Sequence, residues 1–174
     1  DPTFNEALPQ DTTVECDDIP DADTLTASDD CGSATVSYTE TEVNDDGDNC
    51  DDSYRIIRQC TATDLCGNSR THTQTVTVQD TQKPNFSSLP QDTTQECDSV
   101  TSADVLTASD NCDTTTPVSF TDTRVDGNCD YNYNIIRKWT VQDDCGNANT
   151  HTQTVTVQDT QAPDFNEELP QDTT

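Results

Sequence analysis

Apolar and polar residues alternate in twos along most of this chain. Thr35–Val43 alternates strictly, with Val36 and Tyr38 on one face. In Tyr54–Thr63 the residues Tyr54, Ile56, Cys60 and Ala62 share a side, and in Thr71–Val78 the pair Val76 and Val78 opposes Thr73, Thr75 and Thr77. A period of two marks a half-buried strand, and β-branched threonine suits a pleated surface with one wet face. Thr12–Cys16 and Thr24–Ala27 read as two shorter strands, and Asn44–Asp52 as a polar loop around Gly47. No segment of useful length carries the 3.6-residue apolar period of a helix, so the pattern predicts an all-β protein.

The pattern is written twice and begun a third time. Leu-Pro-Gln-Asp-Thr-Thr occurs at Leu8–Thr13, Leu89–Thr94 and Leu169–Thr174. The period of about 80 residues is that of a small sandwich domain, not of a solenoid repeat. The expected organisation is therefore 1–80, 81–159 and the start of a third repeat at 160–174. Each full repeat is expected to be an immunoglobulin-like β-sandwich of seven strands. The sequence opens in a linker and stops within a strand pattern, which reads as a window from a longer protein.

Composition alone points the other way. Only 29% of residues are hydrophobic and the net charge is -28, values that suit disorder. The cysteines reverse that inference. Eight of the nine fall at matching places in the two repeats: Cys16 with Cys97, Cys31 with Cys112, Cys50 with Cys129 and Cys66 with Cys145. A small domain short of apolar mass is commonly stapled by disulfides, which in turn implies an oxidising, extracellular compartment. Two disulfides per repeat are expected. Alternation of strand direction brings Cys31 and Cys66 to one end of a sandwich and Cys16 and Cys50 to the other. The leading pairing is Cys31–Cys66 with Cys16–Cys50, and Cys112–Cys145 with Cys97–Cys129. Its rival joins neighbours, Cys16–Cys31 and Cys50–Cys66. The ninth, Cys60, aligns with Trp139 and reads as a buried, inert thiol in part of a tryptophan's space.

Charge narrows the partners. Seven basic residues against 35 acidic ones exclude nucleic acid and anionic lipid, and no apolar run is long enough to insert in a membrane. Divalent cations would relieve the repulsion, and calcium, a hard ion that takes oxygen ligands, is the candidate. Its candidate ligands are Asp29, Asp30 and Asp64 in the first repeat, Asp110 and Asp143 with Asp144 in the second, and Asp80 and Asp159 at the repeat junctions. Asp45, Asp46, Asp48, Asp51 and Asp52 crowd one loop without the spacing of an EF-hand. Aspartate also favours turns for purely local reasons. His72 and His151 occupy one slot of the last strand and read as packed residues, not zinc ligands. No catalytic triad and no phosphate-binding loop stands out, and no enzyme is expected.

Taken together, Leu-Pro-x-Asp-x-Thr, Glu-Cys-Asp, Leu-Thr-Ala-Ser-Asp-x-Cys, Asp-x-Cys-Gly-Asn and Val-Thr-Val-x-Asp-Thr-x-x-Pro resemble the HYR-like, immunoglobulin-type repeats of giant Bacteroidota cell-surface adhesins, SprB-like gliding-motility adhesins among them. The resemblance covers both full repeats and the partial third. It implies export by the type IX system and a filament attached at the outer membrane, working in attachment and gliding. Neighbouring repeats of the same chain would be the first partners, and a surface, glycan or protein the distant one. Within that phylum, Asp followed by Thr or Ser resembles an O-glycosylation signal, with candidates Thr12, Thr24, Thr93, Ser99, Thr114 and Thr173. Asn85-Phe86-Ser87 is an N-glycosylation sequon. Two other readings stand beside the stalk: a glycan- or protein-binding module, which needs an exposed aromatic platform drawn from Phe120, Tyr131, Tyr133 and Trp139, and a spacer in a secreted enzyme.

Overall fold

The computed structural model describes residues 1–44 and 50–165. The first repeat supplies β1 (Thr3–Phe4), β2 (Thr12–Glu15), β3 (Ala27–Asp29), β4 (Gly32–Asn44), β5 (Tyr54–Asp64) and β6 (Ser69–Gln79). The second supplies β7 (Asn85–Phe86), β8 (Thr93–Glu96), β9 (Ala108–Ser109), β10 (Val118–Cys129), β11 (Asn132–Gln142) and β12 (Ala148–Gln158). The described residues contain no helix. The chain is all-β, with tandem immunoglobulin-like topology, and its contacts gather it into two compact units. Unit 1 is Asp1–Phe86 with Ala108–Pro117 and Val141–Asn149, and unit 2 is Ser87–Thr107, Val118–Thr140 and Thr150–Thr174. Two loop regions of the second repeat thus belong to the unit built on the first.

In unit 1 the strand order is β1-β3-β4-β5-β6-β2. The three long strands form an antiparallel meander, with Tyr38 opposite Cys60 and Cys60 opposite His72. The opening segment is divided between two partners. β1 runs antiparallel to β3, and β2 runs parallel to β6, with Val14 opposite Val78. Alternation buries Ile56, Arg58, Cys60 and Ala62 along β5 and Gln74, Val76 and Val78 along β6. Val14, Cys16, Ile19 and Tyr54 pack against Ile56, Val76 and Val78. In unit 2 the order β10-β11-β12-β8 repeats the scheme, again with a parallel edge, β8 on β12. Trp139, Val141, Val155 and Val157 have at most 1% of their surface exposed.

Two expectations need correction. Among the described residues each repeat has six strands where seven were expected, with β4 paired antiparallel to β5 along its length. The second strand is Ala27–Asp29, not Thr24–Ala27, because Thr26 is held by a side chain. The Glu6 carboxylate accepts its N–H at 2.6 Å and its hydroxyl at 2.7 Å.

The repeated Leu-Pro-Gln-Asp-Thr-Thr motif has a structural role. His72 Nε2 lies 2.9 Å from the Pro9 carbonyl, Gln74 donates to the Gln10 carbonyl at 2.8 Å, and Thr75 N–H donates to Asp11 at 2.8 Å. His151, Gln153 and Thr154 repeat all three bonds to Pro90, Gln91 and Asp92. Thr-His-Thr-Gln-Thr is therefore the complement of Pro-Gln-Asp, and both histidines are used in packing. Each repeat also buries an arginine: Arg58 donates to the Pro20 carbonyl at 2.7 Å and to Glu40 at 2.8 Å, while Arg137 donates to the Thr101 carbonyl.

Candidate metal centre and its disulfides

The Asp-x-Cys-Gly-Asn motif builds a tight turn around its first residue. Asp64 accepts from Cys66 N–H at 2.9 Å and from the backbone and side chain of Asn68 at 2.9 and 2.7 Å. These bonds, the Asn68 side chain first, hold its carboxyl below the usual aspartate range. The glycine closes the turn in the left-handed region, at φ 90° for Gly67 and 91° for Gly146, where a Cβ would be strained. In the second copy Asp143 accepts Asn147 N–H at 2.6 Å through Oδ1, which leaves Oδ2 free to face elsewhere.

Unit 1 gathers that free oxygen with others of its kind. Asp80 accepts Gln82 N–H at 3.0 Å through Oδ1, and Asp110 accepts Cys112 N–H at 3.0 Å through Oδ1. In all three aspartates Oδ2 is buried and has no hydrogen-bond donor among the described residues. Asp80 and Asp143 are each only 8% exposed. Ligand atoms of Asp80, Asp113 and Asp143 lie within 4.8 Å of one another, as do those of Asp80, Asp110 and Cys112, and of Asp52, Asp113 and Asp144. Burial, with neighbouring carboxylates adding to it, raises the carboxyls of Asp52, Asp80 and Asp113 above the usual range. A ring of buried carboxylate oxygens with no donor facing them costs free energy unless a cation faces them instead. Cys50, Cys112 and Cys145 supply no thiolate, being disulfide-bonded. The donor set is all oxygen, which suits a hard divalent ion and not zinc.

The remaining candidates lie apart from this ring. Asp29 and Asp64 line a separate cavity in unit 1 with Cys31, Leu65 and Cys66. Asp30 and Asp159 are exposed, although Asp159 repeats the turn of Asp80 by accepting Gln161 N–H at 3.1 Å. Asp45, Asp46 and Asp48 of the acidic loop fall outside the described residues. Of the candidate ligands only Asp113 was missed by the sequence reading, which had already named Asp144. Its signal was the aspartate directly after Cys112, where the first repeat has Gly32 after Cys31.

The disulfides correct the pairing expected from the sequence. Cys16 bonds Cys112 and Cys50 bonds Cys145, with Cα separations of 5.9 and 4.3 Å. The bridges Cys31–Cys66, Cys16–Cys50, Cys112–Cys145 and Cys97–Cys129 do not form, nor do the neighbour pairs of the rival scheme. Cys31, Cys66, Cys97 and Cys129 are unbonded. The direction of the strands places each cysteine at one end or the other of its repeat. It does not say whether a cysteine finds its partner across its own end or in the repeat beyond, and here two of them find it beyond. Cys60 is buried and unbonded, and burial pushes its thiol up, away from reactivity.

The aromatic platform of the binding-module reading is divided: Trp139 and Tyr133 are occupied, while Phe120 stays 43% exposed. Trp139 is 1% exposed, with Phe120 at 5.2 Å and His151 at 5.8 Å between ring centroids, and the Arg124 guanidinium lies 3.7 Å above the Tyr133 ring. Tyr131 remains well exposed. Of the glycosylation candidates, Thr24, Ser99 and Thr114 are exposed, Thr12 and Thr93 are half-buried at the start of β2 and β8, Asn85 is exposed, and Thr173 lies outside the described residues.

No family model and no curated protein matches the chain. Among solved structures, the Drosophila N-cadherin EC1-4 fragment aligns over 91% of this chain at 15% identity and a TM-score of 0.35, and this chain spans about half of it, 49%. Tandem Ig repeats of Dlar align over 90% of this chain and 97% of that one, at 13% identity and a TM-score of 0.30. Protocadherin Gamma C5 EC1-3 aligns over 90% of this chain and 68% of that one, at 14% identity and a TM-score of 0.34. Likenesses at this level carry no functional information.

Proposed function

We propose that this chain is a structural repeat segment of a long extracellular bacterial adhesin, a disulfide-stapled stalk whose repeat junctions are stiffened by calcium. One observation carries the reading: the chemistry of this chain is concentrated where one repeat meets the next. Asp80 of the junction, Asp110, Asp113 and Asp143 of the second repeat's loops, and two disulfides from first-repeat cysteines to those same loops all belong to unit 1. An enzyme concentrates such chemistry in a cleft that admits substrate, whereas a tether places it at the joints. Disulfides imply an oxidising compartment. The resemblance of the repeats to Bacteroidota surface adhesins supports export by the type IX system, attachment at the outer membrane and a part in adhesion or gliding, with the ligand-binding tip in another region. The repeats would follow the sequence period, 1–80 and 81–159, with 160–174 opening the next.

Calcium would sit among Asp80, Asp110, Asp113 and Asp143, where it would face the oxygens that lack donors and cancel their repulsion. Calorimetric unfolding in calcium and in chelator tests this. Binding to the folded state alone stabilises by about 2.7 kcal/mol at a hundredfold excess over Kd, so the melting temperature should rise by several degrees in calcium. Asp80→Asn with Asp143→Asn should abolish the rise. The same melting temperature in both solutions would remove calcium from the account.

A further inference from the structure

Cys31 and Cys66 are exposed and line one cavity of unit 1, while Cys97 is half-buried and Cys129 exposed in unit 2. Every counterpart of these four is bonded. Cys112 and Cys145 hold in the second repeat the places of Cys31 and Cys66, and Cys16 and Cys50 hold in the first the places of Cys97 and Cys129. The two bonds present follow one rule. A cysteine that ends the first strand takes the Ser-Asp-x-Cys cysteine of the following repeat, 96 residues on. A cysteine ahead of the long strand takes the Asp-x-Cys-Gly-Asn cysteine of the following repeat, 95 residues on. The surrounding carboxylates tell the same story independently. Asp80 is buried with Oδ2 lacking a donor, and its counterpart Asp159 is exposed. Asp29 and Asp64 repeat the turns of Asp110 and Asp143, yet Leu65 between Asp64 and Cys66 stands 82% exposed.

We infer that the four unbonded cysteines are the two halves of that same joint, each awaiting another repeat of this type. Cys97 would bond a Cys31 and Cys129 a Cys66 of the next repeat, so that two rows of disulfides run through an array from one repeat to the next. The inference rests on the tandem-repeat reading above and gives it a partner, for which a second copy of this chain can stand in, head to tail. Each bond forms between two sulfur atoms as two S–H bonds break. The two protons and two electrons pass to an external disulfide, whose S–S bond breaks to give two thiols; oxidised glutathione serves in vitro, and a thiol–disulfide oxidoreductase in the cell. Such a contact is heterologous and links copies head to tail, as open chains or as rings. Within an array a short junction like Thr81–Pro84 holds the partners at an effective concentration of order millimolar, which concentrated protein reproduces.

The test is oxidation of the purified chain at about 1 mM in a glutathione buffer with calcium, followed by alkylation, non-reducing electrophoresis and peptide mapping. A ladder that collapses on reduction is expected, with Cys31–Cys97 and Cys66–Cys129 cross-links and with Cys16–Cys112 and Cys50–Cys145 retained. The variants Cys31→Ser/Cys66→Ser and Cys97→Ser/Cys129→Ser should each stay monomeric alone and, when mixed, stop at a dimer. Cys31–Cys66 or Cys97–Cys129 bonds within one chain, or thiols that remain free throughout, would overturn the inference. Melting of the same monomer in calcium and chelator is read separately, so failure of the ladder is distinguishable from failure of the calcium reading.

Discussion

Cys60 and Trp139 occupy the same slot of the long central strand, and both are buried. In unit 2 the Trp139 ring lies between Phe120 and His151 and donates to the Asp104 carbonyl at 3.1 Å. In unit 1 the matching space is a pocket lined by Asp23, Leu25, Val36, Tyr38 and Cys60, with Asp23 in the place of Asp104 and Tyr38 in that of Phe120. Cys60→Trp should therefore fill a site already shaped for it and stabilise the chain by about 1–3 kcal/mol, raising the melting temperature by several degrees in calorimetry. A lower melting temperature would mean that the pocket is not a vacant tryptophan site. The residues of β6 that bond Pro9, Gln10 and Asp11 behave oppositely. Gln74→Leu strips the Gln10 carbonyl of its donor and should cost about 1–3 kcal/mol, measurable as a shifted urea midpoint with an unchanged slope.

At the scale of the element, the parallel edge strand depends on a glutamate at its end. Glu15 closes β2 and accepts Thr81 N–H at 3.0 Å, the Thr81 hydroxyl at 2.9 Å and the Gln79 amide at 3.2 Å. Glu96 closes β8 and repeats the arrangement with Thr160 and Gln158. The threonine N–H in each case leads in holding the carboxyl below its ordinary value of 4.5. A depressed folded pKa contributes stability that is present above the unfolded value and lost as pH falls through the folded one. Glu15→Gln with Glu96→Gln should thus lower the melting temperature at neutral pH, and the two melting curves should converge as pH drops below about 4.5. A constant gap across that range would show that charge has no part in what Glu15 and Glu96 contribute.

For the whole molecule, the two disulfides of unit 1 close loops of nearly one hundred residues. On the chain-entropy account a loop of that length restricts the unfolded state by about 4–5 kcal/mol, which is large beside so small an apolar core. Full reduction should lower the melting temperature far more than it changes the secondary structure of the long strands. Circular dichroism and calorimetry on matched oxidised and reduced samples would check this. Equal melting temperatures in the two states would mean that the core suffices without the bridges.

Much of the architecture was legible in the chain. Alternation placed β4, β5 and β6 and the side they bury, because a period of two is a local property of strand geometry. The 80-residue repeat gave the tandem organisation, and matched aspartates made Asp80, at a junction, and Asp110 and Asp143, in the loops, candidates in separate groupings. Three things were not legible. The buried Arg58 and Arg137 break the apolar pattern and are tolerated only because carbonyls of distant loops, at Pro20 and Thr101, receive them. The second strand began late because Glu6 reached across to Thr26. The cysteine partners depend on which ends face one another, and no spacing along a chain encodes that. Local chemistry wrote the strands and turns of this protein; only tertiary contact, by choosing among cysteines and carboxylates of equal local standing, decided which of them meet.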